Sequence, residues 1–163
     1  MMRRPCRGLT LLETMVALAI VAVLTTLALP SFGSMMSRHR LKATAEQMAT
    51  DLAELRMLAA QRGQPLHLQL SAGPQWCYAL AVASGCDCRV PQGCQLKTVR
   101  AKDHPGVTLL DGQDLRIEPL PGSAGGTAVL QNSEGARLRV GLSPLGRPKV
   151  CAPGAAVPGY AAC

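Results

Sequence analysis

Gly8-Leu9-Thr10-Leu11-Leu12-Glu13-Thr14-Met15-Val16-Ala17-Leu18-Ala19-Ile20 opens the stretch whose reading decides the fold. Over residues 9–29 every side chain is apolar except Thr10, Glu13, Thr14, Thr25 and Thr26, and these 21 residues are long enough to span a bilayer as a helix. Arg3, Arg4 and Arg7 precede the run, and a basic flank holds the N-terminus in the cytoplasm. No second run of this length follows, so the rest of the chain is expected on the far side of the membrane. An ordinary secretory signal peptide needs small residues at its cleavage site, and Leu27-Ala28-Leu29-Pro30 is a poor match. A plain membrane anchor leaves Glu13 unexplained. A carboxylate deep in a bilayer costs about 2.5–3.5 kcal/mol on insertion scales.

Gly8-Leu9-Thr10-Leu11-Leu12-Glu13 resembles the prepilin peptidase site of type IV pilins and type II secretion pseudopilins. In that family a short basic leader ends in Gly, cleavage follows it, the new N-terminus is methylated, and Glu is the fifth mature residue. Leu9 stands where the family usually has Phe, and Pro30 matches a proline about twenty residues into the mature chain. The resemblance implies a leader over residues 1–8, cleaved after Gly8 with methylation of Leu9, and a transmembrane or filament-core helix over 9–30. It gives Glu13 an assembly role, pairing with the Leu9 amine of a neighbouring subunit. Such pairing offsets desolvation only when its geometry is good. The implied partners are prepilin peptidase, other major and minor pilins or pseudopilins, and the inner membrane. The implied location is a single pass through the bacterial inner membrane with a periplasmic head, then a pilus or pseudopilus.

Beyond Pro30 the pattern stays helical but becomes amphipathic. Leu41, Ala45, Met48, Leu52, Leu55 and Ala59 are spaced 4, 3, 4, 3, 4, which is one apolar stripe. Arg38, Arg40, Lys42, Glu46, Asp51, Glu54 and Arg56 are read onto the other faces. Gly63 suits a helix C-cap and Pro65 a stop, so residues 31–63 form the continuation. The two segments together predict one helix of about 50 residues, whose second half presents its stripe to a globular head. A coiled coil is the competing reading, disfavoured by the β-rich pattern that follows. Arg38, His39, Arg40 and Lys42 are expected to meet lipid headgroups or filament neighbours.

Residues 64–163 change to short alternating runs. Leu66, Leu68 and Leu70 alternate with His67 and Gln69, and further strands are predicted over 76–82, 97–102, 107–110, 115–120, 127–131 and 137–142. The fold class is therefore α+β: a long N-terminal helix, then a small antiparallel sandwich-like head. A head of about 100 residues has a modest core, and disulfides would compensate. Cys6 lies in the leader, whereas Cys77, Cys86, Cys88, Cys94, Cys151 and Cys163 all follow the apolar run, an even number in an oxidising compartment. Six cysteines permit many pairings. A Cys151–Cys163 bridge is favoured, with Cys86 and Cys88 too close to pair and each bonded elsewhere. The cluster lacks the paired C-x₂-C knuckles of zinc sites, so no metal is expected.

The charge is +7, from 17 Lys+Arg against 10 Asp+Glu; removing Arg3, Arg4 and Arg7 with the leader leaves 14 against 10, or +4. A mildly basic protein suits polyanions or anionic surfaces without proving contact. Phe32, Trp76, Tyr78 and Tyr160 are the whole aromatic set, too few for base-stacking platforms. His39, His67 and His104 are scattered, His67 reading as a strand residue facing water, and no nucleophile, metalloprotease or phosphate-loop motif occurs. The expectation is no enzyme and no cofactor.

Three stretches narrow the family. Leu55-Arg56-Met57-Leu58-Ala59-Ala60-Gln61-Arg62-Gly63-Gln64-Pro65 resembles the helix end of the GspH/FimT family, Trp76-Cys77-Tyr78 its aromatic-bearing second strand, and Ser143-Pro144-Leu145-Gly146-Arg147 its closing loop. In the FimT branch, which acts in DNA uptake during natural transformation, a Gly-Arg-x-Arg motif in this loop binds DNA. Here it reads Gly146-Arg147-Pro148-Lys149, which keeps the charge but loses one bidentate fork. Arg137 and Arg139, two apart on one strand, share a face. From Gly135 to Cys163 no residue is acidic. The function expected is a minor type IV pilin for pilus assembly. Arg147, Lys149, Arg137 and Arg139 would capture double-stranded DNA without sequence preference. The alternative is a GspH-like pseudopilin of a type II secretion system with a purely structural role, its basic loop an ordinary solvated surface.

Overall fold

The computed structural model describes residues 10–91, 93–120, 126–154 and 157–163, with the side chains of 27–31 left out. The leader 1–8, including Gly8, and Leu9 lie outside the described residues. The chain divides into two compact units, Met1–Met36 and Ser37–Cys163.

One helix, α1, runs over Leu11–Arg62. Thr10 caps its start, its Oγ1 accepting the Glu13 N–H at 3.3 Å. Inside the apolar run the hydroxyls of Thr14, Thr25 and Thr26 donate to the carbonyls of Leu11, Ala22 and Val23 at 2.7, 2.9 and 2.8 Å. The threonines thus satisfy their protons within the helix, which removes most of their cost in an apolar medium. Among the described residues no helix is long and apolar enough to cross a membrane. At the other end Gly63 adopts φ +62°, and Gln64 N–H bonds the Ala59 carbonyl, closing a Schellman-type cap.

In the second unit the stripe Leu41, Ala45, Met48, Leu52, Leu55 and Ala59 is buried and packs with both sheets in one apolar cluster. The strands are β1 (Leu66–Ser71), β2 (Cys77–Ala81), β3 (Gln95–Arg100), β4 (Val107–Gly112), β5 (Leu115–Ile117), β6 (Thr127–Asn132), β7 (Arg137–Leu142) and β8 (Pro148–Cys151). They form two antiparallel four-stranded sheets, ordered β3-β2-β1-β5 and β4-β6-β7-β8. Register assigns the faces. Leu68 pairs with Leu80, Leu70 with Tyr78, and Tyr78 with Val99, which makes one face of the first sheet. Leu130 pairs with Leu138 and Ala128 with Val140, which makes the core face of the second.

Three elements differ from the sequence expectation. The strand over 97–102 is Gln95–Arg100, and a 3₁₀ turn, Ala101–Asp103, follows it. The strand over 115–120 is only Leu115–Ile117. Pro148–Cys151, read as loop, is a strand at the sheet edge, where proline sits in first position and owes no N–H to an inner neighbour.

Asp51 also departs from its expected solvent face. It is 2% exposed, accepting the Tyr78 hydroxyl at 2.8 Å and the Lys97 ammonium at 2.6 Å. Burial beside that carboxylate drives the Tyr78 phenol well above its ordinary value. Arg38 and Lys42, expected at headgroups or neighbours, meet the head itself. Arg38 lies 3.6 Å from Glu134, and Lys42 donates to the Pro158 carbonyl at 2.6 Å.

Candidate functional site

Strand pairing collects the basic residues singled out in the sequence. Arg137 opposes Gln131, Arg139 opposes both Val129 and Cys151, and Gly141 opposes both Thr127 and Lys149. Opposed residues share a face of a sheet, so Arg137, Arg139 and Lys149 stand together. Leu138 and Val140 between them point into the core. Lys149 reaches this face only because β8 folds back on β7.

A loop of residues 143–147 joins the two strands. Gly146 N–H bonds the Ser143 carbonyl at 2.7 Å, Ser143 N–H bonds the Arg147 carbonyl at 2.8 Å, and Ser143 Oγ accepts the Arg147 N–H at 3.0 Å. Gly146 has φ +71°, a conformation that favours glycine. The Ser143–Arg147 pairing continues the ladder, which sets Arg147 on the Lys149 side. From the helix, Arg56 Nη1 donates to the Gly146 carbonyl at 2.9 Å and fixes the loop from below.

Arg137, Arg147 and Lys149 are exposed and Arg139 is half-buried. Arg137 Nε donates to Gln131 Oε1 at 3.3 Å. Arg139 Nε is shielded from solvent and has no acceptor among the described residues. Asp111, paired with Val129, is the acidic residue that register sets on this face, two strands from β7. The arrangement is three exposed cations and a half-buried fourth, with no ion pair to any of them among the described residues, able to hold phosphate oxygens by charge-assisted hydrogen bonds.

The C-terminal segment braces the edge. Cys151 is bonded to Cys163, and Ala152 and Ala162 form a parallel bridge. Tyr160 donates to Glu46 Oε1 at 2.7 Å, and the Lys42 ammonium sits 5.7 Å from its ring centre. Burial first, then the hydrogen bond and charge of Glu46, push the Tyr160 phenol up to about 12.

The other predicted residues are dispersed. The Glu13 carboxylate is exposed and makes no contact among the described residues. Cys77 bonds Cys88 and Cys86 bonds Cys94, so these four sulfurs are not thiolate ligands. His67 is half-buried on β1 rather than facing water, and His104 stacks on Trp76 with ring centres 5.9 Å apart.

Two residues that matter escaped the sequence reading. Asp51 lies three after Met48 and four before Leu55, so spacing alone places it beside the stripe. Thr10 with Glu13 three residues on is a helix-start signature, which gives Glu13 a local dipole role as well.

Comparison with known proteins adds the following. The prokaryotic N-terminal methylation motif matches residues 3–29, and the type II transport protein GspH family matches residues 44–146. No curated protein matches the chain. Crystal structures of the type IV minor pilin FimU of Pseudomonas aeruginosa, in two space groups, share the fold. One is 15% identical with TM-score 0.53, covering 71% of this chain and 98% of that one; the other is 16% identical with TM-score 0.54, covering 72% and 96%.

Proposed function

Because the chain belongs to the type II transport protein GspH family, we propose that it is a minor pilin subunit that also captures DNA through the outer face of β7 and β8. Residues 1–8 are its leader, processed after Gly8 with methylation of Leu9. Residues 9–30 anchor it in the inner membrane and later sit in the filament core, and Glu13 favours one register there. The head faces the periplasm.

The observation that supports DNA capture is the alignment of Arg137, Arg139 and Lys149 on one strand-paired face with Arg147 at its end. Phosphate contacts carry no sequence information and are strongly salt-dependent, with a slope of about −0.9 per phosphate neutralised on duplex DNA. The test is binding of random-sequence duplex by the full chain in non-ionic detergent over a salt series. Wild type is expected to bind with a steep slope, and Arg147→Gln with Lys149→Gln to weaken binding and flatten the slope by about two. Equal binding by both proteins, or none at low salt, overturns it.

A second reading has its own support. The matching family model is named for type II transport, and a GspH-like pseudopilin needs no ligand. Absence of DNA binding together with co-assembly into a pseudopilus would favour it.

A further inference from the structure

A second cationic site lies on the other sheet. Cys77 is paired with Arg100 across β2 and β3, on the face opposite the Tyr78–Val99 core pair. There Cys77, Ala79 and Cys88 form a small buried cluster separate from the main core, because the loop between β2 and β3 folds back over the sheet. At its edge is a cleft of about 360 Å³ lined by Gln75, Trp76, Cys77, Arg89, Arg100 and Lys102 among others. None of its lining residues is acidic. Two carboxylates lie on the same segments, each with one oxygen on the backbone: Asp87 Oδ1 accepts the Arg89 N–H at 2.9 Å, and Asp103 Oδ2 the Arg100 N–H at 3.2 Å. The side chains of Arg89, Arg100 and Lys102 make no ion pair among the described residues.

We propose that this cleft binds a phosphate-type oxyanion. Arg89, Arg100 and Lys102 outnumber the two neighbouring carboxylates, so the cleft keeps a net positive charge that a bound anion would offset. Two guanidinium forks suit an oxyanion with several acceptor oxygens, and Lys102 adds a point charge. The Trp76 indole N–H is committed to the Val107 carbonyl at 2.8 Å and adds no donor for the anion, so the cations carry the binding. The backbone at Arg89 is held in place beforehand. It follows Cys88, which is bonded to Cys77, and lies between the bonded Cys86 and Cys94. Little loop ordering is then left for the moment of binding. The volume is at the small end for ligand pockets and fits a phosphate group rather than a large cofactor. The site is independent of the face on β7 and β8, and of the reading built on it.

Trp76, the single tryptophan of the chain, borders the cleft with its ring buried in the core between Tyr78 and His104, so its emission responds to occupancy only indirectly and the melting temperature is the primary readout. The full chain in non-ionic detergent is titrated with inorganic phosphate, with ionic strength held constant by chloride. A saturable emission change and a rise in melting temperature are expected. Arg89→Gln and Arg100→Gln should each weaken the response about tenfold or more, and Lys102→Gln several-fold, whereas Arg137→Gln with Lys149→Gln should leave it unchanged. Melting without phosphate checks that each variant is folded. Saturation by phosphate alone assigns a dianionic monoester-type group, and saturation by dimethyl phosphate as well assigns a phosphodiester. An unsaturable drift, an equal response to chloride, or an undiminished response in folded Arg89→Gln and Arg100→Gln overturns the site.

Discussion

Asp51 is a carboxylate 2% exposed at a mostly apolar core, and it is held by two donors of unequal kind. Tyr78→Phe removes a neutral donor and leaves the ion pair, so denaturant unfolding should show a loss of about 1–2 kcal/mol. Lys97→Met removes the counter-charge and should cost more, about 2–3 kcal/mol. That is less than a fully buried pair would lose, because the Lys97 side chain is 41% exposed. The reverse order would mean that the hydroxyl, not the charge, compensates burial. Two other side chains add to the pH dependence, alongside the alkaline one that the raised Tyr78 phenol brings. Burial holds the His104 imidazole below its ordinary value, partly opposed by Asp103 and Asp51. The Thr44 hydroxyl, its proton given to the Arg40 carbonyl at 2.8 Å, accepts from His104 Nδ1 at 3.1 Å. A depressed imidazole contributes stability above about pH 6.5 that is lost as pH falls through its folded value. Tyr160 is the opposite case. Its folded value lies above the unfolded one, so its contribution is complete below about pH 10 and lost as pH rises toward about 12. Melting temperature should therefore decline on both flanks, and His104→Phe should flatten the acid one. An acid flank as steep in His104→Phe as in wild type would assign it to other groups.

At the scale of elements, local periodicity was readable and non-local pairing was not. The helical stripe and seven of the strands follow from side chains alternating between core and water, a pattern written along the chain itself. The eighth strand begins with Pro148 just after Gly146, two loop signals in a row, and is a strand only because β7 offers it an edge. Arg137 and Arg139 could be placed on one face from their spacing alone. Lys149 could not, because its face depends on how many residues the loop spends before β8 starts. That loop is the sensitive point. Gly146→Ala forces a non-glycine residue to φ +71° and should cost about 1–2 kcal/mol. It should also disturb the Ser143–Arg147 bonds and the Arg56 contact. Amide exchange at Arg147 is the readout, and unaltered protection there would show that the turn tolerates a side chain.

On the scale of the whole molecule, the head is held by three disulfides and a C-terminal segment that returns to the helix. Cys163→Ser should cost about 2–4 kcal/mol. It should also loosen the Tyr160–Glu46 and Lys42–Pro158 contacts, so phenolate absorbance should appear at lower pH than in wild type. Unchanged phenol ionisation would mean that the tail holds without its bridge. Assembly is tested at the other end: Glu13→Ala is expected to leave the head folded and to deplete the protein from purified filaments, and normal incorporation would remove Glu13 from that role. The two remaining bridges have a further property. In chain order the four cysteines are 77, 86, 88 and 94, bonded first to third and second to fourth, so the two rings interlock rather than sit side by side. Joining Cys77 to Cys86 and Cys88 to Cys94 instead would give a molecule of the same mass, with no free thiol to betray it. Peptide mapping would tell the two isomers apart, and the interlocked one is the one in which Arg89 lines the cleft. A preparation oxidised without a shuffling catalyst can thus look pure by weight and thiol titration while a fraction of it holds the loop between β2 and β3 by the wrong pair of bridges.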